Sequence, residues 1–184
     1  MTESSNNNID ELLTKSTGVL IKTTLVDFPG KVASAYFLRG CNLRCPYCYN
    51  VELVKGISKD TQVEESNQQF VSPVQVLEHL FNRKNVMNGL VISGGEPLLN
   101  PVTPELIRRA KKMGYSVKLD TNGYNTSLLE DVIEKKLVNY IAMDVKSSFS
   151  SYALCSGVAN IDVERIYSSI ELIKNSKVDY EFRT

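Results

Sequence analysis

Three cysteines, Cys41, Cys45 and Cys48, fall within eight residues of the stretch Arg39-Gly40-Cys41-Asn42-Leu43-Arg44-Cys45-Pro46-Tyr47-Cys48-Tyr49-Asn50. Thiolates spaced C-x3-C-x2-C on one loop can converge on a single soft metal centre. Three chemistries compete for them. A structural zinc site needs a fourth ligand; the only histidine, His79, lies in a helical pattern, and the remaining cysteine, Cys155, is more than a hundred residues away. A dithiol redox pair would use Cys45 and Cys48 and leave Cys41 without a role. An iron–sulfur cluster with three protein ligands uses all three thiols and leaves one iron open, a place to bind and reduce a small molecule.

Further chemistry-bearing residues recur at the ends of short apolar runs. Gly94-Gly95-Glu96 follows one such run, and a glycine pair there lets backbone approach a ligand closely. Asp120 and Asp144 end two others and suit a cation, a ligand amine or a ribose, although helix capping and turn formation are the plain alternatives. Asp27-Phe28-Pro29-Gly30 reads as a turn, and Cys155 as a structural thiol.

The elements that must position these residues are marked by patterning. Val32–Leu38, Leu90–Ser93, Ser116–Leu119, Tyr140–Met143 and Val178–Phe182 are strand candidates. Helices follow Ser72-Pro73, Thr103-Pro104-Glu105, Thr126 and Asp162, each with an apolar face, and Gly114 is placed to stop the second. Repeated strand–helix–strand units imply an α/β fold with parallel strands, either doubly wound or part of a βα barrel, with ligands at the C-terminal strand ends. Residues 1–16 read as a mobile polar tail, 17–184 as one domain, and 57–70 as a polar surface loop within it.

Composition bounds the remaining possibilities. In 184 residues, 21 basic side chains balance 21 acidic ones, so no global field favours nucleic acid or an anionic membrane. At 42% hydrophobic and 23% charged the chain is ordinary for a globular protein, with no apolar run long enough to span a bilayer. The start lacks a secretory pattern, so a reducing cytoplasm is the expected compartment.

The cysteine motif, C-x3-C-x-aromatic-C after a first strand, resembles that of the radical S-adenosylmethionine (SAM) superfamily, with Tyr47 in the aromatic place. Cys45-Pro46-Tyr47-Cys48 is also the C-P-Y-C of glutaredoxins, but no Thr-Val-Pro-like segment follows it. Ser93-Gly94-Gly95-Glu96-Pro97 is similar to the superfamily's Gly-Gly-Glu motif. Residues 25–31, 118–123 and 142–146 resemble segments of glycyl-radical-enzyme activases, in particular those serving anaerobic ribonucleoside-triphosphate reductase. The resemblance runs from about Gly18 to Thr184 and implies a partial (βα) barrel ending after its fifth strand. Longer activases continue through another helix and strand, so the chain is expected to be either a compact version or a truncated form.

The resemblance also implies a [4Fe–4S] cluster on Cys41, Cys45 and Cys48 with SAM at the open iron. Tyr47, Tyr49, Gly94, Gly95, Glu96, Asp120, Thr121, Asn122, Asp144 and Lys146 would be cofactor-binding. The glycines would meet SAM's methionine portion and Glu96 would hold their turn, while the aspartates organise the SAM pocket, in some activases around a monovalent cation. The implied activity is reductive SAM cleavage that forms a glycyl radical on a partner enzyme. Anaerobic ribonucleotide reductase is the favoured partner, pyruvate formate-lyase the alternative, and flavodoxin or ferredoxin the kind of electron donor.

Overall fold

All five expected strands form, and they lie side by side. In the computed structural model, which describes residues 3–15, 18–55 and 70–184, they are β2 (Ala33–Leu38), β4 (Gly89–Gly94), β5 (Ser116–Thr121), β6 (Tyr140–Asp144) and β7 (Asp179–Arg183). Each pairs with the next in parallel. Two strands escaped the sequence reading. β1 (Gly18–Thr24) runs antiparallel to β2, and the two-residue β3 (Phe70–Val71) pairs with the start of β1. β3 is too short to show, and β1 has only three consecutive apolar residues, Val19–Ile21, before the polar Lys22-Thr23-Thr24. The sheet order is β3-β1-β2-β4-β5-β6-β7, open at both edges, and so a partial rather than a closed barrel.

Register decides what each face carries. Tyr36, Leu38, Leu90, Ile92, Val117, Leu119, Ile141 and Met143 occupy one face and form the main core with the helices. These helices are α3 (Pro73–Arg83), α4 (Thr103–Lys112), α5 (Thr126–Glu134) and α7 (Val163–Asn175). On the other face Ala33, Ala35 and Val91 of β2 and β4 pack with Phe28, and Tyr140 of β6 joins them. Across β5 to β7 the same face carries Lys118, Asp120, Asp144, Glu181 and Arg183 beside Tyr140 and Ala142.

Helix starts follow their local signals with two small differences. Ser72 caps α3 through a complete capping box with Gln75, and Asp162 caps α7. Thr103 is not a cap: it is the first residue of α4, and its hydroxyl donates to the Pro97 carbonyl at 2.6 Å. At α5 the cap is Asn125, one residue before Thr126, accepting the Leu128 amide. Gly114 ends α4 with φ +94°, as its position predicts.

The N-terminal segment corrects the expectation of a mobile tail. Glu3–Lys15 forms α1, Leu13 is fully buried in the main core, and Arg109 pairs with Asp10. Asn and Ser dominate the start of this segment and mask a helix whose apolar residues are confined to its last turns, where they meet α3. The proposed polar loop at 57–70 lies outside the described residues, apart from Phe70, which opens β3. The turn expected at Asp27–Gly30 forms one residue later, over Phe28–Lys31, with the Lys31 amide donating to Phe28 O at 3.1 Å.

Replacing Leu13 by alanine tests the packing of α1. A fully buried leucine should cost roughly 2–4 kcal/mol on truncation, seen as a lower denaturant midpoint; an unchanged midpoint would restore the tail.

Candidate cofactor site

The loop between β2 and α2 (Val51–Lys55) carries all three clustered cysteines, each free and partly exposed. It has little regular structure and is held by specific bonds. Gly40 N–H donates to Leu53 O at 2.9 Å, Arg44 N–H to Ser156 O at 2.8 Å, and Cys48 N–H to Cys45 O at 3.2 Å. The Leu43 amide points at Cys41 Sγ at 3.3 Å. The Tyr47 hydroxyl reaches Lys146 O at 3.4 Å, tying the loop to the segment after β6.

The glycine pair meets this loop directly. Gly94 has φ +122°, and a Cβ there would lie 2.2 Å from Leu38 O; a Cβ at Gly95 would lie 2.0 Å from Gly40 O. Both positions therefore exclude any side chain. The sequence suggested room for a ligand, but the neighbour that requires glycine is the chain's own cysteine-bearing segment. Gly95 N–H donates to Leu38 O at 2.9 Å and Glu96 N–H to Gly40 O at 2.8 Å. Asn50, which the sequence reading passed over, donates to Gly94 O at 3.1 Å.

Glu96, expected to hold the glycine turn, and Thr121, expected among the cofactor-binding residues, are both buried at the ends of β4 and β5. Glu96 is buried; one oxygen accepts the Leu98 amide at 3.0 Å and the Thr121 hydroxyl at 2.8 Å, and the other accepts the Asn122 amide at 2.7 Å. Thr121 in turn accepts the Gly123 amide. Their polar atoms are engaged inside the protein, so they brace the ends of β4 and β5 rather than offer themselves to a ligand. Burial pushes the Glu96 carboxyl up to about 7, against the three donors that favour its charge. Asn122 faces the loop: its Nδ2 donates to Asn42 at 2.8 Å and lies 3.8 Å from Cys41 Sγ.

Asp120 and Asp144 share one face, as expected, but neither is an open acidic site. Asp144 accepts Lys146 Nζ at 2.9 Å and Arg183 Nε at 2.8 Å. Arg183 Nη1 also lies 3.6 Å from Asp120, and Lys118 sits 3.0 Å from Asp120 and 3.5 Å from Glu181. The Lys118–Asp120 contact is off the hydrogen-bond line, leaving Asp120 Oδ1 buried with an ionic partner but no hydrogen bond. Lys118, Lys146 and Arg183 thus match Asp120, Asp144 and Glu181 one for one. The charge that a monovalent cation would bring is already present. Neither Lys118 nor Arg183 was visible as a site residue in sequence; only the register of β5, β6 and β7 brings them here.

Neither Cys41 nor Cys45 is poised as a bare nucleophile. Burial pushes Cys41 up, with Glu96, Cys45 and Cys48 adding repulsion and the Leu43 amide opposing. Burial likewise pushes Cys45 up despite the nearby Lys146. A raised Cys45 argues against the dithiol reading, which needs a stabilised thiolate. Three thiols spaced along a loop, each meeting a different iron, fit a [4Fe–4S] cluster instead. Tyr49 is fully exposed and lines a cavity of about 330 Å³ with Val19, Ile21, Phe37, Val51 and Leu53, on the β1 side of the loop.

The family model of the radical SAM superfamily matches residues 36–183. The chain belongs to that superfamily. It is 33% identical over 171 residues to a protein of Methanocaldococcus jannaschii named as a glycyl-radical enzyme activating enzyme, covering 90% of this chain and 65% of that one. It is 30% identical over 124 residues to the pyruvate formate-lyase-activating enzyme of Clostridium pasteurianum, covering 66% of this chain and 48% of that one. The chain therefore spans less than two thirds of the length of either relative. Among solved structures, QueE from Escherichia coli has a TM-score of 0.54 at 16% identity over the whole of both chains. Native anSMEcpe with bound AdoMet has a TM-score of 0.56 at 23% identity, over 78% of this chain and 41% of that one. These structures share the radical SAM fold.

Glu96→Gln would place an amide donor among three donors and should cost about 1–3 kcal/mol. The pH dependence carries its own sign. Because the folded Glu96 carboxyl is raised from 4.5 to about 7, it contributes stability in full below 4.5 that is lost as pH rises through 7. The stability gap between wild type and Glu96→Gln should therefore narrow across that window in denaturant titrations; a constant gap would show that Glu96 titrates normally.

Proposed function

We propose that Cys41, Cys45 and Cys48 hold a [4Fe–4S] cluster and that this radical SAM chain binds SAM beside it, along the rim formed by the ends of β4, β5 and β6. The observation that carries this reading is the docking of the cysteine-bearing segment onto the Gly94-Gly95 turn, which sets Cys41 against a glycine backbone while Cys45 lies near Lys146 and Asp144 of the charged strand face. Held by Cys41, Cys45 and Cys48, the cluster would supply the electron for reductive cleavage of SAM, the radical chemistry needed to form a glycyl radical on a partner enzyme.

The chain's own residues orient and balance charge. Glu96 and Thr121 fix the turn, and Asn122 carries that order to Cys41 through Asn42. Lys146 lies within electrostatic reach of Cys45 while bonded to Asp144, so it joins the thiol loop to the carboxylate face. Arg183 and Lys118 keep Asp120 and Asp144 neutralised until a zwitterionic ligand competes for them. Tyr47, anchored to Lys146 O, walls the loop.

A glycyl-radical enzyme is the proposed partner, supported by the two activating-enzyme relatives. Anaerobic ribonucleoside-triphosphate reductase is the first candidate, from the motifs of residues 25–31, 118–123 and 142–146; pyruvate formate-lyase is the second. A small-molecule substrate is the competing reading, because a 7-carboxy-7-deazaguanine synthase of Aquifex aeolicus is 32% identical over 47% of this chain.

Anaerobic reconstitution should give a brown protein whose visible absorbance bleaches with dithionite. Alanine at Cys41, Cys45 or Cys48 should abolish SAM cleavage, and alanine at Cys155 should leave it nearly unchanged. Cleavage retained by a cluster-free Cys45 variant would overturn the assignment. Mixing the reduced protein with each candidate partner and reading the glycyl signal by electron paramagnetic resonance identifies the partner; SAM cleavage with no such signal on any of them favours a small molecule.

A further inference from the structure

Arg44, between the first and second cysteines, is held at both its N–H and its carbonyl by an element that carries no recognised motif. That element is the end of α6 (Tyr152–Ser156), a five-residue helix between β6 and α7. Tyr152 anchors it: the ring is fully buried in the main core, and its hydroxyl accepts the Lys146 amide at 3.4 Å. Ser156, also fully buried, presents its carbonyl to Arg44 N–H at 2.8 Å.

Gly157 then leaves the helix with φ +68° and ψ 22°, a left-handed cap that favours glycine. The conformation is only part of the constraint. A Cβ on Gly157 would lie 2.1 Å from Arg44 O and 2.6 Å from Arg44 C, so the two backbones are in direct contact. Arg44 passes this restraint on. Its guanidinium Nη1 folds back to donate to Cys41 O at 2.6 Å and Leu43 O at 2.7 Å, while its carbonyl carbon is bonded to Cys45. One residue is thus linked to Cys41 through its side chain and to Cys45 through its backbone.

Resting on the cluster reading above, we infer that the Ser156-Gly157 corner and Arg44 are positioning residues that set the separation of Cys41 and Cys45 before any iron arrives. A loop with so few backbone bonds would otherwise spread its thiols, and a site loosened by about 1 Å loses much of its function. The corner supplies a rigid stop, because its backbone meets Arg44 directly and is anchored by the fully buried Tyr152 and Ser156.

The test compares Gly157→Ala with Gly114→Ala. Gly114 has φ +94° with nothing within 4 Å of its missing Cβ, so its alanine carries at least equal backbone strain without touching the loop. After anaerobic reconstitution, Gly157→Ala should bind several-fold less iron and sulfide than wild type, and its loaded fraction should show altered electron paramagnetic resonance g-values. Gly114→Ala should load normally. Equal loading of both variants, or equal loss, overturns the inference and leaves the cluster assignment intact. A wild type that takes up no iron overturns both. Should Gly157→Ala fail to fold, hydrogen exchange on wild type before iron is added decides the matter. A protected Arg44 amide supports a preformed clamp, and exchange at the rate of an unstructured peptide refutes it.

Discussion

Two backbones meet without space for a side chain where β4 ends at Gly94-Gly95 against Leu38–Gly40, and the rim of the sheet is organised around that meeting. Parallel neighbours normally diverge beyond their last paired residues. Here two amide bonds, from Gly95 to Leu38 and from Glu96 to Gly40, extend the contact past the strands. The cysteine loop therefore starts from a fixed point. Glu96 secures the same point from below, since its buried carboxylate gathers donors from the turn after β4 and from the end of β5. Buried carboxylates are costly unless fully bonded, and this one has three donors, so the arrangement favours one geometry over looser ones.

Charge on the opposite sheet face is handled by pairing rather than by exclusion. Lysine, arginine and carboxylate side chains from β5, β6, the residues just after it and β7 alternate so that each is compensated. Removing one member would leave an unmatched charge in a half-buried place, which is far more destabilising than the pair is stabilising. The same balance suits a ligand that is itself both cationic and anionic. Such a ligand exchanges partners with the network instead of adding net charge to it.

The legible and illegible parts of this protein divide by the range of the interactions involved. Ser72, Asp162 and Gly114 signalled their helix ends through contacts within a few residues, and β2, β4, β5 and β6 showed as apolar runs because both their faces are buried or half-buried. β1, β3 and α1 did not show. Their stability comes from partners distant in the chain, β2 for one and α3 for another, and their own patterning is short or masked by polar neighbours. Glycine at 94 and 95 was legible as a need for a bare backbone, but the identity of the approaching group was not.

What the sequence determined by itself is the chemistry: three thiols at a fixed spacing, a glycine pair, and acids at successive strand ends, together with the alternation that orders the strands. These are properties of residue type and local spacing. Tertiary structure alone decided which of those groups face outward and which brace from within. It turned Glu96 inward, paired Asp120 and Asp144 with Lys118, Lys146 and Arg183, and set Gly157 against Arg44 across more than a hundred residues of chain. The physical reason is that burial and charge pairing are set by register between strands and by the docking of distant loops, and neither leaves a mark in the spacing of neighbours along the chain.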